Sequence, residues 1–259
     1  MQGTHSCGPC IFYLHNYVFN LLILFDLMAN NNNHTKNGNR TAEISAGLVA
    51  ILISFLVVAA IITNQEIVPD QGNIYEDLSF LSENLGRYSV NTYIWLVNAI
   101  LILMLGPAVL LTFISREKTA AYLASFLISG TGIVYIFFAN KGFDVIFVLK
   151  EYLKSPEIES ESLSTLAMSY LVSKMHLQVT AYTLAGLSAV ILGLLVIRTR
   201  LLPAFLGYLA IAGGLIYASY GWVSMNSLIF SFGRLFFILS LLIFGSILLL
   251  RGTRNKPDQ

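Results

Sequence analysis

The sequence predicts an all-α fold, a polytopic bundle of transmembrane helices. Three observations predict it. Of the 259 residues, 56% are apolar and only 11% are charged, whereas an average soluble domain carries roughly 25% charge. The apolar residues fall into runs of about 20, the length at which a helix crosses a ~30 Å hydrocarbon core. The segments between the runs alternate in charge. Mean hydropathy is +0.72. These values exclude a disordered chain, a collagen-like repeat and a basic nucleic-acid binder. Fifteen basic and fourteen acidic residues leave a net charge of +1. No separate soluble enzyme domain fits beside the spans.

Six apolar runs are clear, at 45–63, 93–114, 120–139, 179–197, 201–223 and 228–250. Helices are required, because an open strand would leave backbone polar groups unpaired in lipid. A barrel would show shorter alternating segments. The segments on one side of these runs hold nine Lys and Arg against three acids, and those on the other hold five against ten. An excess of Lys and Arg marks the cytoplasmic side. The pattern predicts six spans in the cell (inner) membrane with both termini cytoplasmic.

Two outer segments are long. Residues 64–90 are acidic and carry a Pro-Asp-Gln-Gly turn at 69–72. Residues 141–175 contain FDVIFVLKEYL, which either lies in the interface or extends the third helix. The SPEIESES stretch after it reads as a loop. No internal repeat is visible, and no motif marks an inverted second half.

Residues 11–29 are apolar but interrupted by His15, Asn16, Asn20 and Asp26. No Lys or Arg precedes them, so the basic start of a signal peptide is missing. Met28 opens a polar stretch that reads as a natural cytosolic beginning. The expectation is that residues 1–27 are an upstream mis-start or a loosely attached segment, a seventh span being the alternative. The organisation is then an N-terminal extension to residue 40, a transmembrane domain over 41–251, and a tail over 252–259.

The only cysteines lie in Cys7-Gly8-Pro9-Cys10, the tetrapeptide of a thioredoxin active site. That chemistry needs a strand before the motif and a helix to lower the first thiol's pKa. Nothing in the chain supplies that fold, and no second cysteine pair exists to pass electrons on. There is no P-loop, no G-x-S-x-G and no HExxH. His176 alone among histidines is near the bundle, so one chain cannot form a bis-histidine haem site. The spans hold no acid, with Glu43 and Asp144 at their edges, whereas proton relays use intramembrane carboxylates. We expect no cofactor and no metal, and these absences weigh against enzymatic chemistry.

Small residues recur every four positions at Ala181, Ala185, Ala189 and Gly193, and also at Ala210, Gly214 and Ala218. A third set is Ala121, Ser125, Ser129 and Gly132. That spacing keeps them on one helix face, where small side chains let backbones approach in lipid. Gly106-Pro107 predicts a kink in the second span.

The polar residues of the bundle lie toward the outer half. Arg234 is about one turn inside the sixth span, where it either snorkels to headgroups or meets a partner within the bundle. His176 and Gln178 begin the fourth span, Asn98 lies within the second, and Tyr217, Tyr220 and Trp222 end the fifth. Aromatics at that level are ordinarily interface anchors. Taken together, Arg234, His176, Gln178, Asn98, Tyr217 and Tyr220 are the candidate lining of a small outward-facing polar pocket.

Two blocks carry a resemblance, TAEISAGLVAIL at 41–52 and TRLLPAFLGYLAIAGGLIYASYG at 199–221. Both resemble the prokaryotic six-span membrane proteins of the domain of unknown function 4386 family. Pro203, Leu206, Gly207 and Gly214 match its hydrophobic-Pro-x-x-Leu-Gly turn into the fifth helix. Glu43 stands where a basic residue is more usual. The resemblance covers about 41–251, leaves 1–27 unmatched, and implies a six-span topology without an activity or catalytic residues.

Three functional readings follow. The first is a membrane protein that binds or transports a small molecule or lipid through the outer pocket. The second is a structural subunit that assembles, with itself or a partner, through small-residue faces. The third is a thiol-redox enzyme using Cys7 and Cys10, or a lipid-modifying one. The bilayer is the partner common to all three.

Overall fold

The computed structural model describes residues 36–64, 80–154, 157–219 and 228–254. Its elements are α1 (Lys36–Asn64), α2 (Leu85–Phe113), α3 (Lys118–Tyr152), α4 (Glu157–Thr199), α5 (Ala204–Ala218) and α6 (Leu228–Arg254). A short helical turn at 80–83 precedes α2. No strand occurs among the described residues. The expectations for residues 1–27, Met28, Cys7 and Cys10 fall outside them.

Each helix packs antiparallel against its neighbour in sequence, and α6 returns to α1. The result is a closed up-and-down ring of six helices. Alanines fill its interior: Ala46, Ala50, Ala99, Ala121 and Ala181 are all fully buried. Large apolar side chains such as Phe113 and Phe230 are buried as well, but many others face outward, with Phe126 at 74% and Ile62 at 64% exposure. Water would disfavour so apolar an exterior. Hydrocarbon permits it, because apolar side chains gain nothing by leaving lipid and close backbone packing holds the helices together.

Glycines mark the closest approaches. A Cβ on Gly47 of α1 would come within 2.7 Å of Gly245 O on α6. One on Gly186 of α4 would overlap Gly214 O and Ala218 N of α5, and one on Gly193 would meet Gly207 O at 2.6 Å. Of the small residues read from the sequence, Gly132, Gly193, Gly214 and Ala218 lie at close helix contacts, whereas Ala185, Ala189 and Ala210 face a space inside the ring. Gly106 packs against Ser125 and Ser129 of α3, and α2 continues as helix through Pro107 to Phe113.

Among the described residues five helices are long and apolar enough to cross a membrane, and α5 has 15 residues. At 1.5 Å per residue α5 is about 22 Å long, short of a full hydrocarbon core. The sequence predicted a fifth span over 201–223, of which residues 220–223 fall outside the described residues. Its start is set by Arg200, which takes a positive φ of 50°, and by Pro203, which precedes the first turn without a donor to lose. It ends at Ser219, whose hydroxyl donates to Ile216 O at 2.7 Å.

α3 and α4 are longer than a single span. Of the two readings of FDVIFVLKEYL, an interfacial segment or an extension of the third helix, α3 takes the second and runs on to Tyr152. SPEIESES was predicted as a loop, yet helix α4 begins at Glu157. Acidic residues directly after Ser155-Pro156 suit a helix N-terminus. With 35 and 43 residues, α3 and α4 are about 52 and 64 Å long. Their surplus turns share an apolar cluster of Leu81, Tyr88, Val145, Ile146, Leu149 and Ala167. The charges within them find local partners: Lys141 bonds Asp144 at 2.8 Å, and Lys174 donates to the Tyr88 hydroxyl at 2.9 Å.

The opposite end of the ring is tied by arginines. Arg251 of α6 donates to Leu201 O at 2.9 Å and lies 3.3 Å from the buried carboxylate of Glu43 on α1. Arg40 donates to Gly252 O at 2.8 Å. The first and last helices thus meet at an ion pair as well as at glycine.

A cavity at the centre of the ring

Apolar spans leave few polar side chains, and most of these are silent. A serine or threonine hydroxyl donates to the carbonyl one turn back in its own helix. Thr92, Thr112, Thr183 and Thr199 all do so, at 2.7–2.9 Å. Asparagine has more to satisfy, with two donors and an acceptor on one amide.

Asn91 finds partners across a seam. Its amide nitrogen donates to Ala60 O at 2.9 Å and to the Thr63 hydroxyl at 2.8 Å, joining α2 to α1. Asn98 lies two turns further along the same face of α2 and is 1% exposed. Neither its Oδ1 nor its Nδ2 has a hydrogen-bond partner. A buried amide left in that state costs about 1–3 kcal/mol.

Asn98 borders a cavity of about 60 Å³ at the axis of the ring. All six helices contribute, including Ile53 of α1, Thr131 and Tyr135 of α3, Ser188 of α4, Tyr217 of α5 and Ser240 of α6. No charged residue lines it among the described residues. The Thr131 and Ser188 hydroxyls lie 3.1 Å apart, and each also donates to its own helix. The walls are otherwise apolar, with Leu105, Leu192 and Phe244 toward the arginine-tied end.

Aromatic rings close the other end. Tyr217 stacks on Phe237 at 4.9 Å and on Phe230 at 5.5 Å, with 7° between planes in both pairs. Trp95 stacks on Tyr135 at 5.2 Å. The Tyr182 ring packs beside Tyr217 at 4.8 Å and Tyr135 at 6.2 Å between centroids. The Gln178 amide nitrogen donates to the Tyr182 hydroxyl at 3.2 Å, one turn further along α4. The Arg234 guanidinium lies 4.6 Å from the Phe230 ring centroid, within electrostatic reach of the three tyrosines. No carboxylate pairs with it among the described residues.

The candidate residues therefore separate. Asn98 and Tyr217 line the cavity. Gln178 and Arg234 belong to the aromatic layer that covers it. His176 is exposed on α4, away from both. Tyr220 and Trp222 fall outside the described residues. Tyr217 is buried at 3% rather than placed as an interface anchor. Sequence reasoning missed Thr131, Ser188 and Ser240, three hydroxyl residues within apolar runs. It also missed Tyr135 and Tyr182. The signal available was their recurrence at mid-span on faces otherwise built from alanine and glycine.

A family model described as "Domain of unknown function (DUF4386)" matches residues 44–226. No curated protein and no solved structure matches the chain.

Proposed function

From the premise that the chain belongs to the DUF4386 family, whose description names no activity, we propose that this membrane protein binds a small ligand in the cavity at the axis of its ring. One observation carries the reading. Asn98 is buried with its whole amide unpaired, against a space that every helix helps to enclose. A bundle selected for stability alone would place an apolar residue there. Pockets that take small molecules combine apolar walls with a few oriented polar groups.

The size of the space limits the ligand. A volume of about 60 Å³ is roughly two waters' share of liquid volume, and a cavity of roughly 150 Å³ takes six-atom benzene, so the ligand has on the order of two or three non-hydrogen atoms. Thermal melts of the purified protein with compounds of this size, neutral and charged, test the reading. At least one compound raises the melting temperature of the wild type and leaves Asn98→Leu unmoved. A panel that shifts neither protein contradicts it.

The cytoplasmic side is the end tied by Arg40, Arg116 and Arg251, in the cell (inner) membrane. Basic residues concentrate at that end of the ring, as the Lys and Arg bias of cytoplasmic segments requires. Reporter fusions after Arg254 and within 65–79 test this orientation. Opposite compartments are expected, with the C-terminal reporter inside.

A further inference from the structure

The end of the ring assigned above to the cytoplasm carries two kinds of basic residue. Where α1 meets α6, the donors are spent within the chain. Arg40 donates to Gly252 O, and Arg251 serves Leu201 O and the Glu43 carboxylate. At the α2–α3 and α4–α5 turns they are not spent. Lys118, Arg198 and Arg200 are exposed, and their side chains have no hydrogen bond or ion pair among the described residues. Arg116, also exposed, reaches across to the α4–α5 turn and donates to Thr199 O at 3.4 Å. It thus touches the residue between Arg198 and Arg200. Glu117 is the only acid within 114–118 and 198–203, so four bases gather around one carboxylate.

The backbone of Arg200 is a second observation. Its φ of 50° is the only positive value at a non-glycine among the described residues. The residue directly follows α4, and its N–H donates to Val196 O at 3.1 Å. Glycine takes this left-handed position after a helix without a Cβ clash. An arginine there accepts strain that glycine avoids. Membrane sidedness does not require it, because a basic residue anywhere nearby serves that rule. Strain kept against local preference points to a use for the side chain. Toward the bilayer the surface turns apolar: Leu187 and Leu194 of α4 and Phe205, Tyr208 and Leu215 of α5 are all exposed. Gly193 and Gly207 hold these two helices together at that level.

A guanidinium meets phosphate oxygens with paired N–H donors, and basic sites at cytoplasmic helix ends suit anionic headgroups. A free anion would use the turns alone, whereas a phospholipid uses the turns and the apolar strip below them. We infer that the α4–α5 turn, with Arg116 and Lys118, holds the phosphate of an anionic phospholipid whose chains lie along α4 and α5. This surface is separate from the axial cavity, and lipid added in detergent reads it whichever way the chain faces.

Purified protein in an uncharged detergent is given phosphatidylglycerol or phosphatidylcholine of equal chain length. Bound lipid is counted by native mass spectrometry alongside thermal melts. Phosphatidylglycerol is expected to stay bound and to raise the melting temperature by a few degrees, and phosphatidylcholine to do neither. Inorganic phosphate and glycerol 3-phosphate at millimolar concentration are expected to leave the melt unchanged. Arg200→Gly should raise the lipid-free melting temperature by about a degree, by relieving the backbone, and lose about half of the phosphatidylglycerol shift. Arg198→Gln should lose a similar share. Lys150→Gln, the same loss of charge at the opposite end of α3, should keep the whole shift. Equal retention of the two lipids overturns the anionic preference. A shift reproduced by phosphate or glycerol 3-phosphate replaces the lipid with a free anion. A loss in Lys150→Gln equal to that in Arg200→Gly reduces the effect to net charge. Arginine variants that change the oligomeric state while retaining the lipid assign the face to a second copy of the chain.

Discussion

Asn91 and Asn98 are the same residue, two turns apart on one face of α2, and both are almost fully buried. Asn91 spends its amide on the α1 seam. Asn98 spends its amide on nothing in the chain. The difference follows from what each one faces. At the seams, glycine and alanine bring backbones together, so a carbonyl or hydroxyl of the next helix lies within reach. At the axis six helices surround a common space, and no neighbour comes close enough to answer the amide. A polar residue at a seam is a fastener, whereas one at the axis is available to something else.

Substitutions can break or sharpen this contrast, and the largest effect is expected at a seam. Gly186→Val drives a side chain into the Gly214 carbonyl and the Ala218 nitrogen, which are backbone atoms that cannot turn aside. It should cost about 3 kcal/mol, read as a large fall in melting temperature or as loss of monodisperse protein. Asn98→Leu should act in the opposite sense, raising the stability of ligand-free protein by about 1–2 kcal/mol through removal of an unpaired buried amide. Asn91→Leu, the same change two turns away, should lower stability by about 1 kcal/mol because a bond across the seam is lost. The opposite signs of the two leucine variants are the sharpest form of the comparison. The smallest effect is expected for Ala185→Val, which extends into the cavity beside Gly186 and should change stability by less than about 1 kcal/mol. Thermal melts of the four variants under one condition check all of these.

The sequence made the all-α class legible because lipid imposes length and apolarity on every span. It misread the start of α4 and left the end of α3 open, where hydropathy and helix propensity diverge. Lys141, Asp144 and Lys150 interrupt the apolar run of α3, but a lysine that bonds an acid one turn along or lies over a tyrosine ring does not interrupt a helix. The apolar run at 201–223 suggested a full span, although Pro203 and Ser219 bound a shorter helix. The candidate site was legible in Asn98 and Tyr217 and misread in its setting. Depth along a helix can be estimated from sequence, but whether a face looks to the axis, a seam or lipid depends on the ring. Arg234 and Gln178 were recognised as polar groups at the outer level, and the structure gives them the aromatic layer above the cavity. Thr131, Ser188 and Ser240 escaped because a hydroxyl bonded to its own helix looks the same from sequence whether it faces a neighbour or an open space.

The central claim is that Asn98 holds a ligand. An electron-density or single-particle map of the purified protein, with detail sufficient to see side-chain amides, tests it most directly. The account predicts non-protein density at the axis, within hydrogen-bond distance of both Oδ1 and Nδ2 of Asn98. An axis closed over by its side chains, with the Asn98 amide bonded to a neighbouring helix as Asn91 is, would contradict it.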